Sequence, residues 1–201
     1  DMNLPALKIT IAKFLNRDDL TDMIPTFIEL AEARINRIIR SRNMEYRVTA
    51  VIDKQFSTLP ADFLEMRNIQ VNSSPVTALE YVTPQAADAL RANHAAGASR
   101  YFSIVGNRLE LIPVPGAAIT IEMTYFRKVP SLTDTLLDNW LLSAHPDVYI
   151  YGVLTQAAAY LRDDPTIWAS FFDSAVDEMA DDNVRSQFHG TTPVQRGARI
   201  G

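Results

Sequence analysis

Apolar residues recur at helical spacing through the first forty positions. Leu4, Leu7, Ile11, Phe14 and Leu15 predict a helix over 4–15. The polar run Asn16-Arg17-Asp18-Asp19 ends it. A longer helix is predicted from about Asp22 to Arg40, with Pro25 in the first turn, where a missing N–H is tolerated. Its apolar stripe is Ile24, Phe27, Ile28, Ala31, Ile35, Ile38 and Ile39. Glu29 and Glu32 come early in it and Arg34, Arg37 and Arg40 late, the order that suits a helix macrodipole.

The period then changes from helical to alternating. Tyr46, Val48 and Ala50 alternate with Glu45, Arg47 and Thr49, predicting a strand over Met44 to Val51. Leu59-Pro60-Ala61-Asp62-Phe63 reads as a turn. Glu65 to Val71 and Val76 to Val82 read as two strands around the turn Asn72-Ser73-Ser74-Pro75. Thr83 is placed to cap a short helix from Pro84 to Asn93. Tyr101 to Val105 and Arg108 to Ile112 flank Gly106-Asn107, a hairpin signal. Ile119, Ile121, Met123 and Tyr125 alternate with Thr120, Glu122, Thr124 and Phe126 in a last strand. Short connections predict antiparallel pairing throughout.

The final third is helical again. A short turn of helix is predicted over Asn139 to Ser143, and a helix over Pro146 to Arg162 with proline first. Asp164 caps a further helix running to about Asn183, with Trp168, Phe171, Phe172, Ala175, Val176 and Met179 on its buried side. The segment Gly190-Thr191-Thr192-Pro193-Val194-Gln195-Arg196-Gly197-Ala198-Arg199-Ile200-Gly201 has no apolar period and reads as a flexible arm. The order predicts an α+β fold. N- and C-terminal segments (1–43 and 131–189) form one helical bundle, 44–130 is an inserted antiparallel β-rich segment with a short helix, and 190–201 is the C-terminal arm.

Composition narrows the function classes. The 201 residues are 47% hydrophobic and 21% charged, ordinary for a globular chain with a sizeable core. Cysteine is absent, which excludes disulfides, thiolate zinc sites and a cysteine nucleophile. The net charge of −5 argues against a protein that coats DNA. No apolar run is long enough to cross a membrane, and the start Asp1-Met2-Asn3-Leu4-Pro5 lacks the features of a signal peptide. A soluble intracellular protein is the expectation.

Catalytic chemistry finds little support. His94, His145 and His189 are scattered, and each reads as a loop, cap or surface residue. There is no nucleophile elbow, phosphate-binding loop or dinucleotide fingerprint. Asp177, Glu178, Asp181 and Asp182, with Asp173 a turn earlier, cluster near the end of the last helix. Metal binding would need ligands converging from other segments, so an exposed acidic face is the simpler reading. At a helix C-terminus such charges oppose the dipole. A surface past which DNA slides without sticking would give them a reason. The basic stretch Arg34, Arg37, Arg40, Arg42 and Arg47 reads as a solvated helix end with salt bridges to acidic neighbours.

Two features stand out. Val148 to Leu161 carries no charge over 14 residues and is apolar all round, so it lies at the centre of the bundle or packs one face on another subunit. Gly152 and Ala157 to Ala159 permit close helix approach. Trp140, Tyr149, Tyr151, Gly152, Tyr160 and Trp168 are the candidate core or subunit-packing residues. From Arg185 to Gly201 there are three arginines and no acidic residue, against the negative charge of the whole chain, the pattern of an interaction arm.

Asn139-Trp140-Leu141-Leu142, Pro146-Asp147-Val148-Tyr149-Ile150-Tyr151-Gly152 and Gln156-Ala157-Ala158-Ala159-Tyr160-Leu161-Arg162-Asp163-Asp164 resemble the head-to-tail adaptor family of tailed bacteriophages. Leu59-Pro60-Ala61-Asp62-Phe63 is similar to a turn in the same proteins, and the opening helices match in order and length. The resemblance implies a structural virion protein with no catalytic residues, no metal and no cofactor. It implies a homo-oligomeric ring of twelve copies at the head–tail connector, made in the cytoplasm of the bacterial host. The ring would dock on the portal, extend the DNA channel and offer a platform to the next tail component, a nozzle or tail-tube protein. Genomic DNA would pass without sequence-specific binding. By position, residues 190–201 would reach into the portal, and the strands from about Val76 to Tyr125 would face the tail. Asp177, Glu178, Asp181 and Asp182 are the candidates to face the channel. Two other readings compete: a monomeric binding or chaperone-like module using the 148–161 helix, and a hydrolase using His145 or Asp147.

Overall fold

The computed structural model describes residues 2–17, 19–93 and 96–187. In chain order the elements are α1 (Leu4–Leu15), α2 (Ile24–Ile38), β1 (Glu45–Ile52), β2 (Phe56–Thr58), β3 (Phe63–Val71), β4 (Thr77–Ala78), β5 (Glu80–Tyr81), α3 (Pro84–Asn93), β6 (Tyr101–Val105), β7 (Arg108–Ile112), β8 (Ile119–Arg127), α4 (Trp140–Ala144), α5 (Pro146–Leu161) and α6 (Thr166–Gln187). This is an α+β fold built as two compact units, one from residues 1–43 and 129–201, the other from 44–128.

Local signals set the helix ends of the first unit. The Asn3 side chain accepts from the Ala6 N–H at 3.0 Å. Asn16 takes the left-handed conformation, φ 49°, and closes α1 with bonds from its own N–H to the Lys13 carbonyl and from Arg17 to Ala12. Arg162, φ 61°, ends α5 the same way, through Arg162 to Ala159 and Asp163 to Ala158. The Asp164 side chain accepts from the Thr166 N–H at 2.9 Å at the start of α6.

The uncharged helix α5 is the centre of this unit and packs on α1, α2, α4 and α6. Val148, Tyr149, Gly152, Val153, Leu154, Ala157 and Ala158 are buried. Gly152 sets the spacing. A Cβ there would lie 3.1 Å from Phe172 Cε2 and 3.5 Å from Ala31 Cβ, so its missing side chain lets α5 approach α2 and α6 together. Against the predicted buried face of α6, Phe171 is 46% exposed, whereas Phe172, Ala175 and Met179 are buried. Phe171 lies about 100° around the helix from Phe172, at the edge of the buried arc. Ile38, predicted in the stripe of α2, is also exposed, at the last turn of its helix.

The second unit holds two four-stranded sheets, ordered β1-β8-β3-β4 and β2-β7-β6-β5. Between them lie Ile52, Leu59, Ile69, Leu79, Phe102, Leu109, Leu111, Ile121, Met123 and Tyr125. The β1–β8 register is uninterrupted from Glu45↔Phe126 to Ile52↔Ile119, whereas β3 shifts register twice against β8. Two expectations fail here. The strand predicted over 76–82 is broken at buried Leu79, whose N–H bonds Ile69 of one sheet while the Glu80 N–H bonds Arg100, next to the other. The alternation is the same through both halves, so periodicity cannot reveal the change of sheet. Pairing is also not wholly antiparallel: β5 runs parallel to β6, Glu80 opposite Tyr101. The intervening segment contains α3, long enough for the crossover that parallel strands need. Buried Glu110 of β7 accepts from Gln55 Nε2 at 2.9 Å and pairs with Arg91, which fixes α3 over this sheet.

Candidate subunit and partner interface

A buried polar knot gives the helical unit its geometry. Glu32 of α2 is 5% exposed. Its carboxylate accepts from the Leu132 N–H at 2.8 Å and from the Tyr149 hydroxyl at 3.2 Å. Asn139 Nδ2 donates to the Tyr149 oxygen and to the Pro130 carbonyl, each at 2.7 Å. Asn139 Oδ1 accepts from the Leu142 N–H at 2.9 Å and so caps α4. One turn on, Asn36 Oδ1 accepts from the Val129 N–H at 2.8 Å. Two polar residues of α2 thus hold the segment 129–139, which has no regular structure of its own, against α4 and α5. Burial pushes the Glu32 carboxyl above its usual range, while the bonds from Leu132, Ser131 and Tyr149 oppose the shift. Burial, then the Glu32 charge, pushes the Tyr149 hydroxyl up. The Glu32 carboxylate is buried and hydrogen-bonded, beneath a shallow cleft lined by Ile28, Glu29 and Leu132, and it ties α2 to the 129–139 segment and to α5.

On this frame an aromatic cluster comes to the surface where α1, α5 and α6 meet. Trp168 packs edge-on to Phe14 at 6.0 Å between ring centres, stacks with Tyr151 at 6.4 Å and meets Phe171 at 6.2 Å. Tyr151 and Phe171 are 5.3 Å apart. Tyr151 and Trp168 are half-buried, but Phe14 is 51% exposed and Ile167, one turn before Phe171, is 59% exposed. Phe14, Ile167 and Phe171 are thus exposed large apolar side chains at or next to this cluster.

The other flank of α6 faces α2. Arg34 bonds Asp173 Oδ1 at 3.1 Å and lies 4.5 Å over the Phe172 ring. Leu30 and Arg37, a turn before and after Arg34, are exposed. Other residues of the predicted basic stretch take local partners, Arg47 with Glu122 at 3.5 Å and Arg40 with the carbonyls of Asn36 and Ile39.

Tyr149 and Gly152 are buried, Trp140 is half-buried, and Tyr160 is 54% exposed with its ring 5.4 Å from Phe27. Asp177, Glu178 and Asp181 are exposed on α6; the Asp182 side chain and residues 190–201 lie outside the described residues. So do His94 and His189. His145 lies between α4 and α5, and its N–H donates to the Leu141 carbonyl at 2.7 Å, closing α4; its side chain makes no capping bond to α5. Among the described residues no three His, Asp or Glu side chains are grouped to hold a metal ion, and no helix is long and apolar enough to cross a membrane. A shallow cleft of about 590 Å³ in the β unit, between Val71, Thr77, Ser99 and Tyr101, presents no set of converging polar groups buried around it.

The helical unit is therefore a packed scaffold that leaves apolar and charged side chains exposed. The sequence model of the SU10 adaptor protein family matches residues 2–197, across both units. The chain belongs to this family of phage head–tail adaptors. No curated protein matches the sequence. The adaptor's role is structural, as a component of the bacteriophage particle.

Sequence reasoning missed the centre of the adaptor's polar knot. Glu32 reads as a favourable first-half acid on α2, but its position 100° from Ala31 on the buried side is the available signal. Asn139 was available as a cap signal three residues before Leu142. The aromatic surface was hidden because Phe14, Trp168 and Phe171 fall near the edge of apolar stripes, where periodicity does not separate core from surface.

Proposed function

We propose that this chain forms the ring that joins the phage head to its tail. Twelve copies dock on the portal, extend the DNA channel and present a platform for the next tail component, a nozzle or tail-tube protein. The family match over nearly the whole chain carries this reading. The exposed aromatic cluster of the helical unit supports it, because a ring subunit must bury surface on its neighbours. In this reading residues 190–201 are the arm that enters the portal, their basic character opposite in sign to the chain as a whole. Asp177 and Asp181, one turn apart on α6 and exposed, repel DNA phosphates along the channel. The adaptor has no catalytic step and uses no cofactor.

Deletion of residues 190–201 tests the arm. The truncated protein keeps the circular dichroism spectrum and melting behaviour of the full chain but loses co-sedimentation with portal particles. Full-strength portal binding by the truncated protein would remove the arm from this account.

A further inference from the structure

An edge of α6 and the exposed face of α2 carry surfaces that match each other. Ile167, Phe171 and Glu178 follow one exposed edge of α6, with Phe171 beside Trp168, which in turn meets Phe14 of α1. On the α2 side, Leu30, Ala33 and Arg37 form an exposed stripe. Leu30 is 48% and Phe171 46% exposed. Arg37 and Glu178 form no ion pair with another described residue. From Phe171 to Glu178 and from Leu30 to Arg37 the step is seven residues, two turns, about 10.5 Å along each helix. Each surface thus offers an apolar residue and, two turns later, a charge, and the charges have opposite sign.

The helices also run the right way. Phe27 meets Tyr160, Ala31 lies at Gly152, and Glu32 bonds Tyr149, so α2 is antiparallel to α5. The short 162–165 connection makes α6 antiparallel to α5 as well. Hence α2 and α6 are parallel. Copies related by rotation about an axis along these helices present the α6 of one to the α2 of the next in the same direction. Two unlike patches on opposite sides of one subunit are what a head-to-tail ring contact requires.

We infer that the ring contact is made by the Ile167–Phe171–Glu178 edge of α6 against the Leu30–Ala33–Arg37 face of α2 in a second copy of this chain, with Phe171 on Leu30 and Glu178 paired with Arg37. This rests on the ring reading given above. It assigns Glu178 to the contact between copies rather than to the channel; Asp181 lies about 60° and Asp177 about 100° further round α6.

The absence of native cysteine allows a direct test. Full-length protein carrying Leu30→Cys and Phe171→Cys is assembled with portal particles, and a short bismaleimide is added. Ring formation is read by mass photometry and cross-linking on a denaturing gel. The inference predicts a ladder of covalent multimers from the double variant and none from either single variant. A ring of full mass without a ladder overturns this contact and leaves the ring reading standing. Absence of any ring from the unsubstituted full-length protein as well overturns both. A charge exchange gives a second readout. Arg37→Glu and Glu178→Arg each lose the ring alone, and mixing the two variants restores it, because alternating copies re-form every pair. Rings of full yield from either single variant overturn the Arg37–Glu178 pairing.

Discussion

Glu32 is a carboxylate almost out of reach of solvent, and its neighbours are donors rather than cations. Leu132 N–H and the Tyr149 hydroxyl both need an acceptor at this point. Removing the acceptor leaves the buried Tyr149 hydroxyl and the half-buried Leu132 N–H without it, at a cost of about 2 kcal/mol, which is the effect expected for Glu32→Leu. Glu32→Gln keeps an acceptor oxygen without the charge and is expected to be at least as stable as the parent at neutral pH. The pH dependence follows from the raised carboxyl. A raised pKa means that the folded protein holds its proton better than the unfolded chain does. The stability from this group is fully present below the ordinary value of about 4.5 and is lost as pH rises through the folded-state value. Urea denaturation of the parent and of Glu32→Gln at several pH values reads the difference. The parent should lose ground to the variant as pH rises from 4.5 toward neutral. A constant difference would show that Glu32 is not held by burial in this way.

At the scale of elements, the three-helix contact at Gly152 is the tightest point of the first unit. Phe172 is fully buried and sits beneath the Arg34 guanidinium, so its ring has little room to retreat. Gly152→Ala sets about 1 kcal/mol of gained helix propensity against crowding of that ring, and should change stability by less than about 1 kcal/mol. Gly152→Leu must push α5 from α2 and α6 and should cost about 3 kcal/mol. Thermal and urea unfolding check both. A Leu variant of parental stability would mean that these helices are not closely packed. The long elements were readable before the structure because their periods are sustained: α1, α2, α5, β1 and β8 follow from pattern and caps. The break at Leu79, the short β2 and the parallel β5–β6 pair were not. There, hydrogen bonding between distant segments decides the arrangement, and two-residue strands carry no period. The same limit applies to the aromatic surface. The pattern places Phe171 on an apolar face of α6, but whether Tyr151, Phe14 and Trp168 close over it depends on how three helices meet.

For the whole molecule, the helical unit is formed by both ends of the chain and the β unit by its middle. In the proposed ring this divides labour. The first unit, stiffened by the Glu32–Tyr149–Asn139 knot, supplies contacts between copies, and the strands inserted between its halves are free to meet the tail. The exposed Phe14, Ile167 and Phe171 then have partners, and the acidic turns of α6 have a path of DNA to face. Electron cryo-microscopy of the full-length protein mixed with the portal of its phage tests this most directly. The expected result is a closed twelve-fold ring beneath the portal, with residues 190–201 ordered against portal subunits and the α6 aromatic surface buried between neighbouring copies. A protein that stays monomeric beside unoccupied portals, or that binds them as isolated copies with Phe14 and Phe171 still exposed, would contradict it.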